Sequence, residues 1–142
     1  MALPADRDDV APDGSDVRLL ASTSRVGMAH FRLAPGEVTI GMVHRTVDEI
    51  WLVTGGKGWI WRCPTDQPDL VFEDELLPEV SIPIPVGMHF QFRAAETSGL
   101  DIVGVTVPPW PGKHEAVLSD KTPWQPTFAL DQSLQVGVGG KS

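Results

Sequence analysis

The sequence predicts an all-β domain, either a barrel or a sandwich. Short apolar or alternating segments recur at spacings of about 8 to 12 residues, which is typical of such folds. Many glycines and prolines lie between these segments, and no stretch is a convincing amphipathic helix. The predicted strands span, in chain order, residues 17–23, 27–33, 38–44, 49–54, 57–62, 69–73, 80–84, 88–94 and 100–107.

In the first part of the chain, the assignments rest on composition and on the alternation of apolar and polar residues. Residues 1–16 are acidic and rich in Pro, Ala and Gly, so we expect a disordered N-terminal tail. Residues 27–33, GMAHFRL, place Phe31 and Leu33 on one face of a strand. The following segment, APGE, carries Pro and Gly in the order of a type II turn.

The central stretch, residues 41–58, forms the predicted hairpin GMVHRTVDEIWLVTGGKG. One strand ends at His44, a four-residue turn follows, and a second strand begins at Glu49. Across a hairpin these two side chains can point into the same space. Strand alternation then directs Glu49 inward together with Trp51, and Asp48 outward. An imidazole beside a carboxylate is half of a metal site or of an acid–base site.

The later strands end in loops or edges. Pro83 and Pro85 cannot donate ladder hydrogen bonds, which predicts an edge or a strand end there. Residues 88–94, MHFQFRA, alternate aromatic and polar side chains cleanly. Residues 109–142 form a Pro- and Gly-rich C-terminal arm and tail, so the barrel proper is expected over residues 17–108.

Composition narrows the class of protein. The chain has 142 residues, 42% apolar residues and a net charge of -8, which predicts one globular domain. The negative charge argues against nucleic acid or an anionic membrane as a partner. Cys63 is the only cysteine, so no intrachain disulfide can form. The N-terminus lacks the apolar core of a signal peptide and no run is long enough to span a membrane, so we expect a cytoplasmic protein.

Two motifs in this sequence resemble those of the cupin superfamily. The first family motif is G-x5-H-x-H-x3-4-E-x6-G, in which His44, Glu49 and Gly56 match the second histidine, the acid and the closing glycine. The second is G-x5-P-x-G-x2-H-x3-N, whose centre is matched by Pro85 and Gly87. The resemblance covers about residues 17–108 and implies a double-stranded β-helix, the cupin or jelly-roll barrel.

The chain departs from both motifs at positions where the family holds a metal. Met42 stands in place of the first histidine, and Glu79 in place of the second motif's opening glycine. Without a gap, Phe90 falls at the second motif's histidine and Ala94 at its asparagine, while His89 comes one residue early. A one-residue slip of strand 88–94 would exchange its faces and turn His89 inward.

Two registers therefore predict two sites. In the slipped register, His44, Glu49 and His89 would form a two-histidine, one-carboxylate site for Fe(II), Mn, Ni or Zn. In the ungapped register Phe90 points inward and no third ligand is present, so the barrel has no metal cofactor. The expected pocket residues are Met42, Trp51, Trp59, Trp61, Phe90, Gln91 and Phe92.

Two functional hypotheses follow from the resemblance and the residues. One is a metal-assisted enzyme of oxygenase, isomerase or lyase type, which acts on a small organic molecule and uses His44 and Glu49 as catalytic residues. Without metal the same two residues could act as a general acid–base pair. The other is a metal-free module that binds or senses a small molecule in a cavity lined by Trp and Phe. The resemblance also implies a homodimer.

Overall fold

The chain folds into two six-stranded β-sheets that enclose one core. The computed structural model describes residues 1–130 and the backbone of residues 136–137. The strands are, in chain order, β1 (Asp9–Val10), β2 (Asp16–Ser22), β3 (Gly27–Leu33), β4 (Met42–His44), β5 (Asp48–Gly56), β6 (Gly58–Pro64), β7 (Phe72–Leu76), β8 (Ser81–Ile84), β9 (Met88–Ala94), β10 (Leu100–Val107), β11 (Ala116–Ser119) and β12 (Val136–Gly137).

The order of strands interleaves the two halves of the chain. The first sheet runs β1-β2-β3-β10-β5-β8 and the second runs β12-β11-β4-β9-β6-β7. Neighbouring strands are antiparallel except for the parallel pair β11 and β12. In the described residues the one helical element is a single 3-10 turn, Lys113–Glu115. The all-β, jelly-roll prediction is therefore confirmed.

The core lies between the inward faces of the two sheets. Strand β5 alternates as predicted, with Glu49, Trp51 and Val53 buried and Asp48, Ile50 and Leu52 exposed. The buried residues come from both sheets, because each strand contributes every second side chain to the same interior. The largest apolar contributors include Leu33, Met42, Trp51, Ile60, Leu76, Ile84, Phe90, Phe92, Leu100 and Ile102.

The N-terminal segment differs from the sequence prediction. Residues 1–16 are not disordered: β1 pairs with β2, and Asp13 is buried. The Asp13 carboxylate accepts hydrogen bonds from the backbone N–H and the hydroxyl of Ser15. The Arg18 guanidinium donates to the carbonyls of Pro4 and Ala5. The acidic composition is typical of disorder, but the segment makes specific hydrogen bonds both within itself and with strand β2.

A C-terminal arm, residues 109–130, covers the outer face of the second sheet. Ser119 contacts His89, and the backbone of Trp124 bonds the side chain of Gln91. Thr127 bonds Val38 through its backbone N–H at 3.0 Å. The arm also contributes strand β11, so regular structure extends beyond the predicted barrel limit of residue 108. The predicted tail at 131–135 and 138–142 lies outside the described residues.

Candidate functional site

The hairpin between β4 and β5 is clamped from outside by Glu115. This carboxylate accepts hydrogen bonds from the backbone N–H groups of Thr46 at 2.6 Å and Val47 at 3.1 Å, and from the Thr46 hydroxyl. Burial alone would raise the pKa of Glu115, but these hydrogen bonds outweigh it and lower the pKa. The clamp fixes the turn, and so fixes how His44 and Glu49 face each other.

His44 and Glu49 meet inside the barrel. The distance from His44 Nδ1 to Glu49 Oε1 is 3.6 Å, and the two side chains are only 5% and 4% exposed. Hairpin geometry brings them together even though five residues separate them in sequence, as the turn predicts. At this separation the two groups are neighbours but do not form a hydrogen bond with each other.

Burial pushes both groups toward their uncharged forms. It raises the pKa of Glu49 to about 8, an effect that the nearby Trp51 side chain opposes and the Asp13 carboxylate reinforces. Burial also lowers the pKa of His44 to about 4, against the attraction of Glu115. Near neutral pH the site therefore holds a protonated carboxyl next to a neutral imidazole.

Aromatic rings surround this pair. Phe90 and Trp110 each meet the His44 imidazole edge-on, with ring centroids 5.1 Å apart in both cases. Trp51 lies edge-on to Phe90 at 5.9 Å and to Phe92 at 4.8 Å. Trp110 belongs to the C-terminal arm and is 37% exposed, whereas the other rings are buried. The polar pair thus lies among apolar rings, a surrounding called the chamber below, with the partly exposed Trp110 in contact with His44.

Three polar atoms in this chamber lack a hydrogen-bond partner among the described residues. They are His44 Nδ1, Glu49 Oε2 and Trp51 Nε1; the Trp51 N–H lies close enough to the Glu49 carboxyl to oppose the rise of its pKa, but not in hydrogen-bonding geometry. Gly104, on the neighbouring strand β10, lies against one of these atoms: a Cβ added there would be 2.7 Å from Glu49 Oε2. The missing side chain at Gly104 therefore leaves room for the Glu49 carboxyl at this position.

Backbone conformation supports the match to the two motifs. Gly56 and Gly87 have φ of 77° and 82°, in the left-handed region that glycine enters readily. Glu79, which replaces the second motif's opening glycine, has φ 78° and is the one non-glycine residue with positive φ in the described chain. At residue 79 the backbone therefore has the conformation that a glycine would favour, although the residue there is Glu79.

The strand register places Phe90, not His89, in the interior. Met42 pairs with Phe90 across β4 and β9, and both belong to the core. His89 points to the other face of β9, where its Nδ1 lies 2.6 Å from the Ser119 hydroxyl. The slipped register is therefore wrong, and His89 does not join His44 and Glu49. Across the described residues, no group of three His, Cys, Asp or Glu side chains could hold a metal ion.

The predicted pocket residues divide between two faces. Met42, Trp51, Phe90 and Phe92 lie in the core around His44. Gln91 lies on the outer face of the second sheet, where its amide donates to the carbonyls of Thr39 and Trp124. Trp61 is the cross-strand partner of Gln91, and Trp59 stacks on the Arg93 guanidinium beneath the C-terminal arm. Trp59, Trp61 and Gln91 therefore do not line the chamber, because consecutive strand residues face opposite sides.

Sequence reasoning missed three contributors to the site. Trp110, Gly104 and Glu115 belong to no motif in the sequence. All three reach the hairpin through contacts between distant parts of the chain, and local pattern does not encode such contacts. The prolines that flank Trp110 mark a stiff connection but not its destination.

Comparison with known proteins supports the fold only. No model of a protein family and no curated protein matches the chain. Among solved structures, protein BH2720 of Bacillus halodurans is 23% identical, with a TM-score of 0.60, over 74% of this chain and 76% of that one. The capsular polysaccharide assembling protein CapF of Staphylococcus aureus is 19% identical, with a TM-score of 0.67, over 82% of this chain.

A variant of oxalate decarboxylase from B. subtilis is 15% identical, with a TM-score of 0.66, over 82% of this chain. The chain spans about a third of CapF and of oxalate decarboxylase, at 34% and 31% of their lengths. Together these structures show that the chain has the cupin fold. Within the described residues, no helix is long and apolar enough to cross a membrane.

Proposed function

We propose that this barrel binds a small, uncharged organic molecule in its interior, beside His44 and Glu49, without a resident metal. The observation that carries the proposal is the set of three unpartnered polar atoms on His44, Glu49 and Trp51. A buried polar group without a partner costs about 1–3 kcal/mol. A ligand oxygen placed among these atoms would recover part of that cost, which the surrounding aromatic side chains cannot do.

The protonation states define the chemistry of the ligand. A carboxyl with its pKa raised to about 8 is protonated at neutral pH and donates a hydrogen bond from Glu49. The Trp51 indole N–H is a second donor. Two donors suit a carbonyl or hydroxyl oxygen, and the rings of Phe90 and Trp110 suit an apolar ring beside it. Neutral His44 offers no charge to an anion.

The donor set does not fit a held metal ion. A divalent metal site of this kind needs three or more protein donors, and the chamber supplies His44 and Glu49. Met42 and Phe90 occupy two of the family's ligand positions with apolar side chains that pack in the core. Metal binding also requires an ionised carboxylate, which burial of Glu49 disfavours. We therefore derive no metal-assisted step with Fe, Mn, Ni or Zn.

A second function, acid–base catalysis, is favoured by the opposite pKa shifts of the pair. A carboxyl that is protonated at neutral pH can give a proton to a substrate oxygen, and a neutral imidazole 3.6 Å away can accept one. Neighbouring groups whose pKa values are driven apart are a common basis for acid and base roles. Isomerisation or cyclisation of the bound molecule would need no further group.

A fluorescence and melting experiment tests binding. Phenol, cyclohexanone and δ-valerolactone are titrated while Trp emission and the melting temperature are recorded, with benzoate as the charged comparison. We expect the uncharged compounds to raise the melting temperature and benzoate to have no effect. Trp110→Ala should lose this response and His114→Ala, an exposed control, should keep it. Failure of all three compounds to shift either signal would contradict the proposal.

Glu49→Gln separates the two functions. Its amide N–H still donates, so a binding module retains affinity for the ligand, while an acid–base enzyme loses turnover because an amide cannot transfer the proton. In the wild type, affinity should fall above pH 8 as Glu49 ionises, and in Glu49→Gln it should not. A homodimer and a cytoplasmic location are further parts of the proposal, to be tested by light scattering and by fractionation of cells.

A further inference from the structure

A second polar site lies on the outer face of the first sheet, on the opposite side from the chamber. Phe31 packs against Trp51 inside the barrel with ring centroids 6.3 Å apart, so its chain neighbours His30 and Arg32 point outward. There they meet Asp101 on the adjacent strand β10. We propose that this cluster binds an uncharged, hydroxyl-rich small molecule, such as a monosaccharide or a cyclic polyol.

Asp101 organises the cluster through one oxygen. Its Oδ1 accepts from His30 Nε2 at 2.9 Å and from Arg32 Nε at 2.7 Å. The second oxygen, Oδ2, lies toward Gly55, where an added Cβ would be 3.3 Å away. Because Gly55 has no side chain, that carboxylate oxygen stays open as an acceptor for a ligand hydroxyl.

His30 supplies the observation that points to a ligand. Its side chain is only 4% exposed, and its Nδ1 has no hydrogen-bond partner among the described residues. Since Nε2–H donates to Asp101, Nδ1 of the neutral ring carries a lone pair and acts as an acceptor. Burial lowers the pKa of His30, against the attraction of Asp101, which keeps the ring in this neutral form.

These groups line a pocket of about 380 Å³, within the size range of small-molecule sites. Its polar floor is formed by His30, Arg32 and Asp101, and its walls are mainly apolar. The N-terminal segment closes one side and is anchored by the Arg18 hydrogen bonds to Pro4 and Ala5. The remaining lining residues are Met1, Leu3, Leu20, Thr54, Gly55 and Val103.

The balance of charges favours an uncharged ligand. Arg32 and Asp101 neutralise each other by direct contact, and His30 is neutral. Arg18, the next cation on this face, keeps its charge; its Nε and Nη2 donate to the two carbonyls of the N-terminal segment, while its buried Nη1 lacks a partner among the described residues. An anion would have to approach the open oxygen of Asp101. A polyol instead matches two acceptors and the Arg32 donors with hydroxyl groups, and its C–H faces match the apolar walls.

The test follows the His30 ring by nuclear magnetic resonance in the full chain. Methyl α-D-glucopyranoside, myo-inositol and inorganic phosphate are titrated in turn, and the Nδ1 and Nε2 signals are recorded. We expect at least one polyol to shift the Nδ1 signal saturably. Affinity should fall at least about tenfold in His30→Gln and remain unchanged in His114→Gln, whose residue lies outside the pocket.

Thr54→Trp provides an independent test. Thr54 is exposed on a strand, so a bulky ring there would fill the pocket without disturbing the core. Loss of the polyol shift in this variant supports the proposal. Three results would overturn it: no saturable shift with either polyol, unchanged binding in Thr54→Trp, or a shift with phosphate alone. Binding in the barrel interior is unaffected by all of these outcomes.

Discussion

The ring of Phe90 meets the imidazole of His44 edge-on, at 5.1 Å between ring centroids. In the motif that this chain resembles, a histidine would occupy that position beside His44. An apolar contact therefore replaces a ligand, and the same exchange at Met42 leaves the pair His44 and Glu49 in an apolar setting.

Restoring the two histidines should create a metal site. We expect the double variant Met42→His/Phe90→His to bind Zn(II) or Ni(II) near one equivalent, since four donors then converge. The wild type and the control variant Phe90→Leu should hold far less, as measured by elemental analysis after dialysis. One equivalent of metal in the wild type, purified without chelator, would contradict our account of the site.

The pH dependence of stability should reveal the protonated Glu49. Its pKa is about 8 in the folded protein and about 4.5 when unfolded, so the folded state holds the proton more tightly between these values. Stability therefore falls as pH rises through this window. For His44, with a folded pKa of about 4, stability instead rises from pH 4 to 6.5. The two slopes oppose each other up to pH 6.5 and Glu49 acts alone above it.

Relative to Glu49→Gln, the wild type should lose about 2 kcal/mol of unfolding free energy between pH 6.5 and pH 8. Urea unfolding at each pH measures this difference. Asp13, whose pKa burial also raises, is common to both proteins, so only its coupling to Glu49 enters the difference. Equal slopes for the two proteins would mean that Glu49 ionises normally inside the barrel.

Gly104 should not tolerate a methyl group. A Cβ at this position would lie 2.7 Å from both Glu49 Oε2 and the Phe31 ring. We expect Gly104→Ala to lower the unfolding free energy by about 1–3 kcal/mol through overpacking. Gly27→Ala is the matched strand control, because its nearest contact would be an ordinary 3.5 Å. Thermal unfolding compares the stabilities of the two variants. Equal stability would show that Glu49 and Phe31 can move aside for the added methyl group without a measurable loss.

The C-terminal arm should depend on Gln91. Its side chain bonds the carbonyls of Thr39 and Trp124 and accepts from the Trp124 N–H at 3.1 Å. Gln91→Leu leaves these backbone groups without hydrogen-bond partners. We therefore expect the unfolding free energy to fall by about 2 kcal/mol or more, and hydrogen exchange to become faster at Trp124 and Thr127. The exposed control Gln67→Leu should change neither. Unaltered exchange in the arm would show that its other contacts are sufficient to hold it.

Sequence reasoning predicted the fold and the pairing of His44 with Glu49, because both depend on local signals: strand alternation, turn residues and one short hairpin. It left the register of residues 88–94 open, since alternation fixes which side chains share a face but not which face is inside. In the structure, Phe90 pairs with Met42 and faces the core, while His89 faces outward and is covered by Ser119 of the C-terminal arm.

The same reasoning missed Trp110, the Glu115 clamp and the pairing of His30 with Asp101. Each is a contact between residues more than 65 positions apart, as in the 69-residue separation of Thr46 and Glu115. A single sequence carries no signal for such pairs. The acidic N-terminal segment shows the reverse problem, because a composition typical of disorder still folds when its carboxylates meet donors.

The pairing of His44 with Ala116 limits when the barrel can fold during translation. As the chain leaves the ribosome, β4 emerges well before β11, which is one of its two neighbours in the sheet. The Glu115 clamp and the Trp110 cover arrive with the same late segment. The interior therefore cannot close until residues 116–119 have been translated, and until then the nascent hairpin exposes its apolar face to chaperones and to other chains.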